Sequence, residues 1–569
     1  MKKIIALCSV WAGITGIGGV KNADAAHFDP TTGRVTLDAV SVGTTDYYGV
    51  QVGIGQVLRY TTLPPVSTVD VFDPATGQLT IRSLTVGGVR YTNIVVTLQA
   101  VYGVTGAGMT AAANPVLPND VLFSDQWHLR NTGQAGRTGV AGLAGDDLNA
   151  ARAWNLATGK GIQIAILDDG LDIYHEDLRT VPGKSWDYRV NAYGDPSSGL
   201  GNHGTACGGL AAAIGNNGKG VVGVNWNVKL MPLKFLGSDG SGSTADAAEA
   251  IIYGVDNGAK VLSNSWGGGD ASQVLQDAIQ YAQDRGVLFI AASGNDSKNT
   301  DSSPNYPSNY AVPNVVSVAS NDASDNLSSF SNFGRRTVDL SAPGSSIYST
   351  RPLSRYQRLS GTSMATPHVA GAAALVMARY PSIASHQVIV RLLGGVDRKS
   401  AFIGKMVSGG RLNVFNAMST NPLIALTTDW SNTTNTSGPY VVSTSVVDDQ
   451  SVASVRLIYT LNGAGGDTLN MTPGTRDSYS ANIPGQALNT TINYMVLATD
   501  NAGNRTLGPT YSFKISNEPD PGDGGGCCGQ SAMAMGNLHG PAKYAVELPL
   551  NLAFFLLPLV LVRRWRKKK

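Results

Sequence analysis

One serine in this chain sits in a setting suited to nucleophilic chemistry. The segment Leu359-Ser360-Gly361-Thr362-Ser363-Met364-Ala365-Thr366-Pro367-His368-Val369 places Ser363 among small residues, directly before a run that predicts a helix. A hydroxyl at a helix N-terminus lies beside unpaired backbone N–H groups and at the positive end of the helix dipole, where an oxyanion is stabilised. Taken alone, such a serine is a helix cap, so the reading depends on partners elsewhere. Ile162 to Leu167 is a short, apolar, β-branched run that predicts a buried strand, and it ends in Asp168 at a glycine turn. His203 opens a second small-residue helix pattern, His203-Gly204-Thr205-Ala206-Cys207-Gly208-Gly209-Leu210. A histidine can take the serine's proton when a carboxylate fixes its tautomer and stabilises the imidazolium.

The order along the chain is Asp, His, Ser, unlike that of chymotrypsin-like enzymes or α/β-hydrolases. The extended segments ILDDGLD, GNHGTACGG and SGTSMATPHVAG, in that order, resemble the three signature segments of subtilisin-like serine peptidases, the subtilases. The resemblance implies that Asp168 orients the base, His203 is general base and acid, and Ser363 is the nucleophile. A fourth segment, Phe289 to Asn295, resembles the family's oxyanion element, with the Asn295 amide donating to the tetrahedral oxyanion beside the Ser363 backbone N–H. The related sedolisins carry Glu and Asp where this chain has His203 and Asn295, so that branch is disfavoured.

The same resemblance places the walls of the primary substrate pocket at Ser265, Trp266 and Gly267 and at Ala292, Ser293 and Gly294. Extended backbone there would pair with a peptide as an added strand. An apolar or broad preference at the pocket is expected, with Asp270 and Asp301 read as a loop acid and a weak cation site. A structural Ca²⁺ is expected as the cofactor, and no catalytic cofactor. The loop Gly215 to Val221 resembles the family's calcium loop. Asn217 would offer a side-chain oxygen, Ile214, Lys219 and Val221 backbone carbonyls, and Asp177 and Asp120 carboxylates, in keeping with the all-oxygen coordination of Ca²⁺.

Other chemistry-bearing residues have plainer readings. His368 follows Pro367 inside the helix start and reads as a packing residue; His175 lies near a motif. His27, His128, His386 and His539 have no chemical constellation around them and default to surface or structural roles. Asp172 reads as a turn residue, whereas Asp169 is either a turn residue or a second acid near the substrate channel, as in basic-specific relatives. Cys207 lies one helical turn beyond His203 and is expected beneath the base as a small packing residue.

The elements that must carry these residues follow from the rest of the sequence. A chain of 569 residues exceeds one usual domain. Charged residues make up only 14%, and a net charge of +2 is too small for a phosphate-steering surface, which excludes a nucleic-acid partner. Four cysteines give no disulfide framework. Residues 1–25 read as a secretory signal, with Met1-Lys2-Lys3 before an apolar run and Ala23-Asp24-Ala25 as the cleavage pattern. Residues 26–104 hold a repeat of about 44 residues: Phe28-Asp29-Pro30-Thr31-Thr32-Gly33 recurs as Phe72-Asp73-Pro74-Ala75-Thr76-Gly77, each followed by alternating apolar residues that predict β-hairpins. This repeat does not resemble the inhibitory pro-domain that subtilases carry.

Residues 105–118 read as a linker, and 119–420 as an α/β subtilisin-like catalytic domain. Its apolar runs (Lys229 to Phe235, Val261 to Trp266, Val287 to Ala292, Val315 to Ala319) alternate with helix patterns, as in a parallel sheet with flanking helices. Residues 421–516, rich in Thr, Ser, Asn and Val, resemble bacterial immunoglobulin-like β-sandwiches. Residues 517–545 form a Gly/Pro/Cys linker containing Cys527 and Cys528. Residues 546–562 are a short hydrophobic segment, and 563–569 a basic tail placed in the cytoplasm by the positive-inside bias. These three elements resemble the sorting signals of Gram-negative surface proteins, cut by a membrane-bound C-terminal processing enzyme; a plain membrane anchor is the alternative.

The expectation is a monomeric serine endopeptidase acting on proteins or peptides, exported across the inner membrane to the cell surface or medium. A peptide ligase or transpeptidase on the same fold, and a surface adhesion protein with an incidental peptidase fold, are the alternatives.

Overall fold

The two halves of the N-terminal repeat build one sheet. The structure, a computed structural model, describes residues 26–516 apart from 30–33, 43–44, 62–69, 74–77, 87–88, 104–105, 110–114, 136–140 and 189–200. The signal, the D-P-x-T-G turns and everything beyond residue 516, including the sorting elements, lie outside the described residues. The first copy contributes β1 (Ala26–Asp29), β2 (Arg34–Val42) and β3 (Thr45–Thr61). The second contributes β4 (Asp70–Asp73), β5 (Gln78–Val86) and β6 (Val89–Gly103). The pairing path β2–β4–β5–β6–β3 returns to β2, so these five strands close on themselves. Its core obeys the repeat: buried Val35, Leu37, Val40 and Val52 recur as Leu79, Ile81, Leu84 and Val96. β7 (Gly106–Met109) pairs with Thr45 to Tyr48 of β3. The start of the expected linker is therefore a strand, because small residues at a sheet edge need only main-chain bonds to join it.

A nine-stranded sheet forms the catalytic domain. Its strands are β8 (Gln163–Asp168), β9 (Trp186–Asp187), β10 (Lys229–Lys234), β11 (Val261–Asn264), β12 (Leu288–Ala292), β13 (Val315–Asn321) and β14 (Leu340–Pro343). A separate hairpin, β15 (Ile347–Arg351) and β16 (Arg355–Leu359), follows, and the short β17 (Asp397–Arg398) and β18 (Gly410–Arg411) complete one edge. The order is β17-β18-β14-β13-β12-β11-β8-β10-β9, parallel except for β17. From β8 the chain runs to β9 and β10 on one side and then to β11 on the other, so the strand order reverses at β8. In open parallel sheets the crevice at the carboxyl end of such a reversal is where ligands bind.

Helices cover both faces, as a sheet of β-branched strands without polar alternation requires. Along β8, Ile164 and Ile166 face one core and Ala165 and Leu167 the other. The first core holds α1 (Ala150–Ala153), α2 (Asn202–Ala212), α5 (Thr362–Arg379), α6 (Ser385–Gly394) and α7 (Val414–Ala417). The second holds α3 (Thr244–Asp256) and α4 (Gln273–Gln283).

The last described region folds into two antiparallel sheets. One has the order β19 (Leu423–Ala425), β20 (Tyr440–Val447), β24 (Ser478–Ile483), β23 (Thr472–Pro473). The other has β22 (Ala464–Asn470), β21 (Val452–Leu461), β25 (Thr491–Asp500), β26 (Arg505–Leu507), with β27 (Tyr511–Lys514) also on β25. Strict alternation along β25 turns Ile492, Tyr494, Val496 and Ala498 into the shared core. Leu423, Ala425 and Val447 pack into the core of the catalytic domain, and His386 meets Asp477 across the junction at 3.0 Å. Among the described residues no helix is long and apolar enough to cross a membrane.

Candidate active site

Strand register and strand alternation together place the acid. Asn264 of β11 lies opposite both Leu167 and Ala291, so Asp168, Ser265 and Ala292 stand in one row at the carboxyl edge. Asp168 shares the face of Ile164 and Ile166, two residues apart along the strand. That is the face covered by α2 and α5, whose N-termini carry His203 and Ser363.

Asp168 is 1% exposed, and both of its oxygens meet His203 Nδ1, at 2.9 and 3.0 Å. The buried carboxylate beside the ring raises the His203 pKa well above its ordinary value; burial opposes this more weakly. The His203 side chain is 36% exposed, so the ring edge turned away from Asp168 is open. Asp169 belongs to the turn after β8. Its carboxylate accepts from the backbone N–H of His203 (3.3 Å) and of Gly204 (2.8 Å), capping α2 from the neighbouring turn. Gly201, at the N-cap, has no side chain to do this. Burial and the adjacent Asp168 push the Asp169 carboxyl up to about 6. The close fit also explains two glycines: a Cβ on Gly201 would lie 2.6 Å from Asp169 Oδ1, and one on Gly204 would lie 2.1 Å from the Gly170 carbonyl.

Ser363 occupies the first turn of α5. Its Oγ donates to the Ser265 carbonyl at 3.1 Å and makes no hydrogen bond to His203. Its own carbonyl accepts from Ser265 Oγ at 2.8 Å and lies 3.5 Å from Cys207 Sγ. Cys207 is fully buried beneath the base, 3.9 Å from His203 Nδ1, and burial raises its thiol pKa. Asp168, His203 and Cys207 are the one group of three metal-ligating side chains found close together among the described residues. Two of its three atoms are already engaged in the Asp–His pair.

Asn295 is held by its oxygen: Oδ1 accepts from the Thr362 N–H (2.9 Å) and the Thr362 hydroxyl (3.0 Å). That assignment leaves the Nδ2 hydrogens at the mouth of α5. Of the expected pocket walls, Ser265, Ala292 and Ser293 are buried, and Ser293 Oγ donates to the Asn332 carbonyl. These positions can therefore meet a peptide only through backbone. Trp266 packs edge-on against Phe235 at 4.7 Å. Gly267 cannot carry a side chain without meeting Asn305 at 2.8 Å, nor can Gly294, at φ +108°, without meeting Asn332 at 2.3 Å. Asp301 is committed elsewhere, accepting from Arg336 N and Thr337 Oγ1.

The expected calcium residues come together, with one change. Asp177 accepts from Asn217 Nδ2 (2.6 Å) and Val221 N (2.9 Å), and Asp120 accepts from Asn216 N (2.7 Å). The Asn217 oxygen points instead at Lys219 N (2.8 Å), so its amide must turn over to become a ligand. The donor set otherwise suits a hard cation. Asp120 Oδ1 is buried without a partner, and burial raises the pKa of both carboxyls, with the Asp120 charge raising Asp177 further. No hydrogen bond among the described residues ends on the carbonyls of Ile214, Lys219 or Val221.

His128, His175 and His368 make their contacts away from the catalytic pair. His368 Nδ1–H donates to the Pro343 carbonyl at 3.0 Å, and the ring packs at a tilt against His128, centroids 4.7 Å apart, both rings fully buried. Burial lowers His128 well below its ordinary pKa and His368 to about 3. His175 faces Tyr356 and the Arg355 carbonyl.

A family model described as the subtilase family matches residues 159–396. Thermitase of Thermoactinomyces vulgaris is 41% identical over 271 residues, covering 48% of this chain and 93% of thermitase. A thermophilic serine proteinase of Bacillus sp. (strain AK1) is 39% identical over 268 residues, 47% of this chain and 64% of that protein. Subtilisin BL of Lederbergia lenta is 42% identical over 232 residues, 41% of this chain and 81% of that protein. The chain belongs to the subtilase family. It is a serine endopeptidase built on the subtilisin-like catalytic fold.

Proposed function

We propose that Ser363, His203, Asp168 and Asn295 carry the hydrolysis. The reading rests above all on one geometry: the buried Asp168 carboxylate brackets His203 Nδ1 at 2.9 and 3.0 Å. That contact keeps the proton on Nδ1 and leaves Nε2 free to act as base. The Ser363 hydroxyl exchanges its bond to the Ser265 carbonyl for one to His203 Nε2, a tightening expected on substrate binding. Oγ then attacks the scissile carbonyl. His203 takes the hydroxyl proton and passes it to the leaving amine, and water resolves the ester in the reverse sense. The oxyanion receives the Ser363 N–H and Asn295 Nδ2, the latter aimed by the two bonds from Thr362.

Backbone of Ser265 to Gly267 and of Ala292 to Gly294 pairs with an extended peptide. Asp120, Asp177 and the carbonyls of Ile214, Lys219 and Val221 hold a structural Ca²⁺, joined by Asn217 once its amide turns. Calcium's role there is to neutralise two facing buried carboxylates. The enzyme is exported through the 1–25 signal and acts outside the inner membrane, with the 517–569 segment as a sorting signal. Residues 421–516 are an immunoglobulin-like module docked on the catalytic domain.

The test compares wild type with Ser363→Ala on a peptide library, with intact-mass spectra after a fluorophosphonate. Wild type should cleave and gain one adduct on Ser363, and the variant should do neither. Cleavage by both proteins alike would overturn the assignment. Addition of an amine nucleophile separates hydrolysis from ligation, because only a ligase shifts its product wholly to the new amide.

A further inference from the structure

The hairpin β15–β16 is tied to the segment that follows Asp168, to the helix of His203 and, along the chain, to Ser363. Its turn is bonded to the segment that follows Asp168: Leu353 N–H donates to Asp172 Oδ2 (2.8 Å), and Glu176 N–H donates to Ser354 Oγ (3.1 Å). His175 Nε2 lies 3.1 Å from the Arg355 carbonyl. Its first strand is bonded to the helix of His203, with Ser349 Oγ donating to the Ala206 carbonyl and Thr350 Oγ1 to the Thr205 carbonyl, both at 2.7 Å. Its second strand ends at Leu359, four residues before Ser363. Displacement of β16 is therefore displacement of the nucleophile.

One residue of β16 reaches the cation loop. The Tyr356 hydroxyl donates to Glu176 Oε1 (3.4 Å) and faces the Asp177 carboxylate. Glu176 in turn pairs with Lys219 of the loop at 3.1 Å. The Tyr356 ring stands perpendicular to His175 at 5.5 Å. It also lies so close over Gly220 that a Cβ there would sit 2.0 Å from the hydroxyl. Gly220 is thus a gap in the loop filled by a side chain from the strand that leads into Ser363.

We propose that Tyr356 is a positioning residue that couples cation occupancy of the Asp177–Val221 loop to the placement of Ser363. The inference rests on the calcium reading of that loop given above. A cation drawn between Asp120 and Asp177 pulls on the carboxylate that Tyr356 faces, and β16 transmits the shift. Coupling between two binding sites is reciprocal, so occupancy of Ser363 must tighten the loop's hold on calcium by the same factor.

The experiment uses the full-length chain and a peptide boronate, whose adduct with the serine is reversible. Calcium dissociation constants are measured by calorimetry with and without the boronate, for wild type, Tyr356→Phe and Glu176→Gln. In wild type the boronate should tighten calcium binding about tenfold, and calcium should tighten boronate binding equally. In Tyr356→Phe, which keeps the ring and loses the hydroxyl, both ratios should fall to about twofold or less. A residue that only stabilises the fold would lower the melting temperature and leave the ratios unchanged, and that result overturns the proposal. Glu176→Gln alters an exposed side chain and decides the matter if the tyrosine variant does not fold: an undiminished ratio there overturns the proposal too. Calcium binding in wild type with no effect of boronate overturns the coupling and leaves the calcium reading standing. No calcium binding in wild type removes both.

Discussion

Pro367 lies four residues after Ser363 in α5, at the position whose N–H would close the helix bond onto the Ser363 carbonyl. Proline has no such hydrogen, so that carbonyl is released from the helix. It is taken up instead by Ser265 Oγ at 2.8 Å, with Cys207 Sγ at 3.5 Å. The nucleophile is therefore fastened to the end of β11 and to the helix of the base rather than to its own helix. Ser265→Ala removes the stronger of these bonds to a half-buried carbonyl. It should cost about 1–2 kcal/mol of stability and lower kcat by about tenfold with KM little changed. Denaturant titration and steady-state kinetics check both, and an unaltered kcat would mean that the fastening has no catalytic role.

Asn295 presents donors to the groove only because its oxygen is committed to Thr362. Asn295→Ala should lower kcat about 100- to 1,000-fold with KM nearly constant, the range found for loss of one such donor in a subtilisin. Thr362→Val keeps the backbone bond and removes the hydroxyl one, so its effect should be smaller, about three- to tenfold. Equal losses in the two variants would contradict the division of roles.

The Asp169 cap predicts a distinct pattern. Asp169→Ala leaves the His203 and Gly204 N–H groups without their acceptor and should destabilise the protein by about 1–2 kcal/mol. Because the capped turn carries His203, kcat should fall as well, with an unchanged preference among peptide side chains. A selective loss of cleavage after basic residues would instead place Asp169 at the substrate channel.

The buried, adjoining rings of His128 and His368 predict a loss of stability in acid. Burial depresses both folded pKa values below the ordinary 6.5. The unfolded chain therefore binds protons that the folded chain refuses as pH falls through 6.5. The contribution is fully present above about pH 6.5 and shrinks below it, by about 1.4 kcal/mol per histidine for each pH unit. His128 makes no hydrogen bond through either ring nitrogen, so His128→Phe should fold and should reduce the dependence of stability on pH between 6.5 and 5.5 by one histidine's share, about 1 kcal/mol per pH unit. Urea titrations across that range measure it, and an identical slope in wild type and variant would refute the account.

Much of the catalytic domain is legible one residue at a time. Asp168, His203 and Ser363 each stand at a recognisable boundary, a strand end or a helix start, and their order suffices to suggest the family. The repeat was equally plain, because buried positions such as Val35 and Leu79 recur at one spacing. The cap made by Asp169, the bond from Ser265 to the Ser363 carbonyl and the reach of Tyr356 are not legible in this way. A carboxylate that caps a helix from another segment leaves no local signal, unlike a serine or aspartate at the N-cap itself. For Ser265 a signal did exist, in the proline four residues after Ser363, since a missing donor implies a carbonyl needing another.

The sequence by itself determined which side chains could do chemistry and on which local element each sits, since periodicity, caps and turn residues act over a few neighbours. Only the tertiary structure decided what they touch. The register of β8, β11 and β12 aligns Asp168, Ser265 and Ala292, and strand alternation turns the acid toward two helices whose N-termini converge on it. The turn of the Asn217 amide, the closure of the repeat and the reach of Tyr356 over Gly220 are likewise set by contacts between distant segments. Packing and main-chain pairing select those contacts, and no local pattern encodes them.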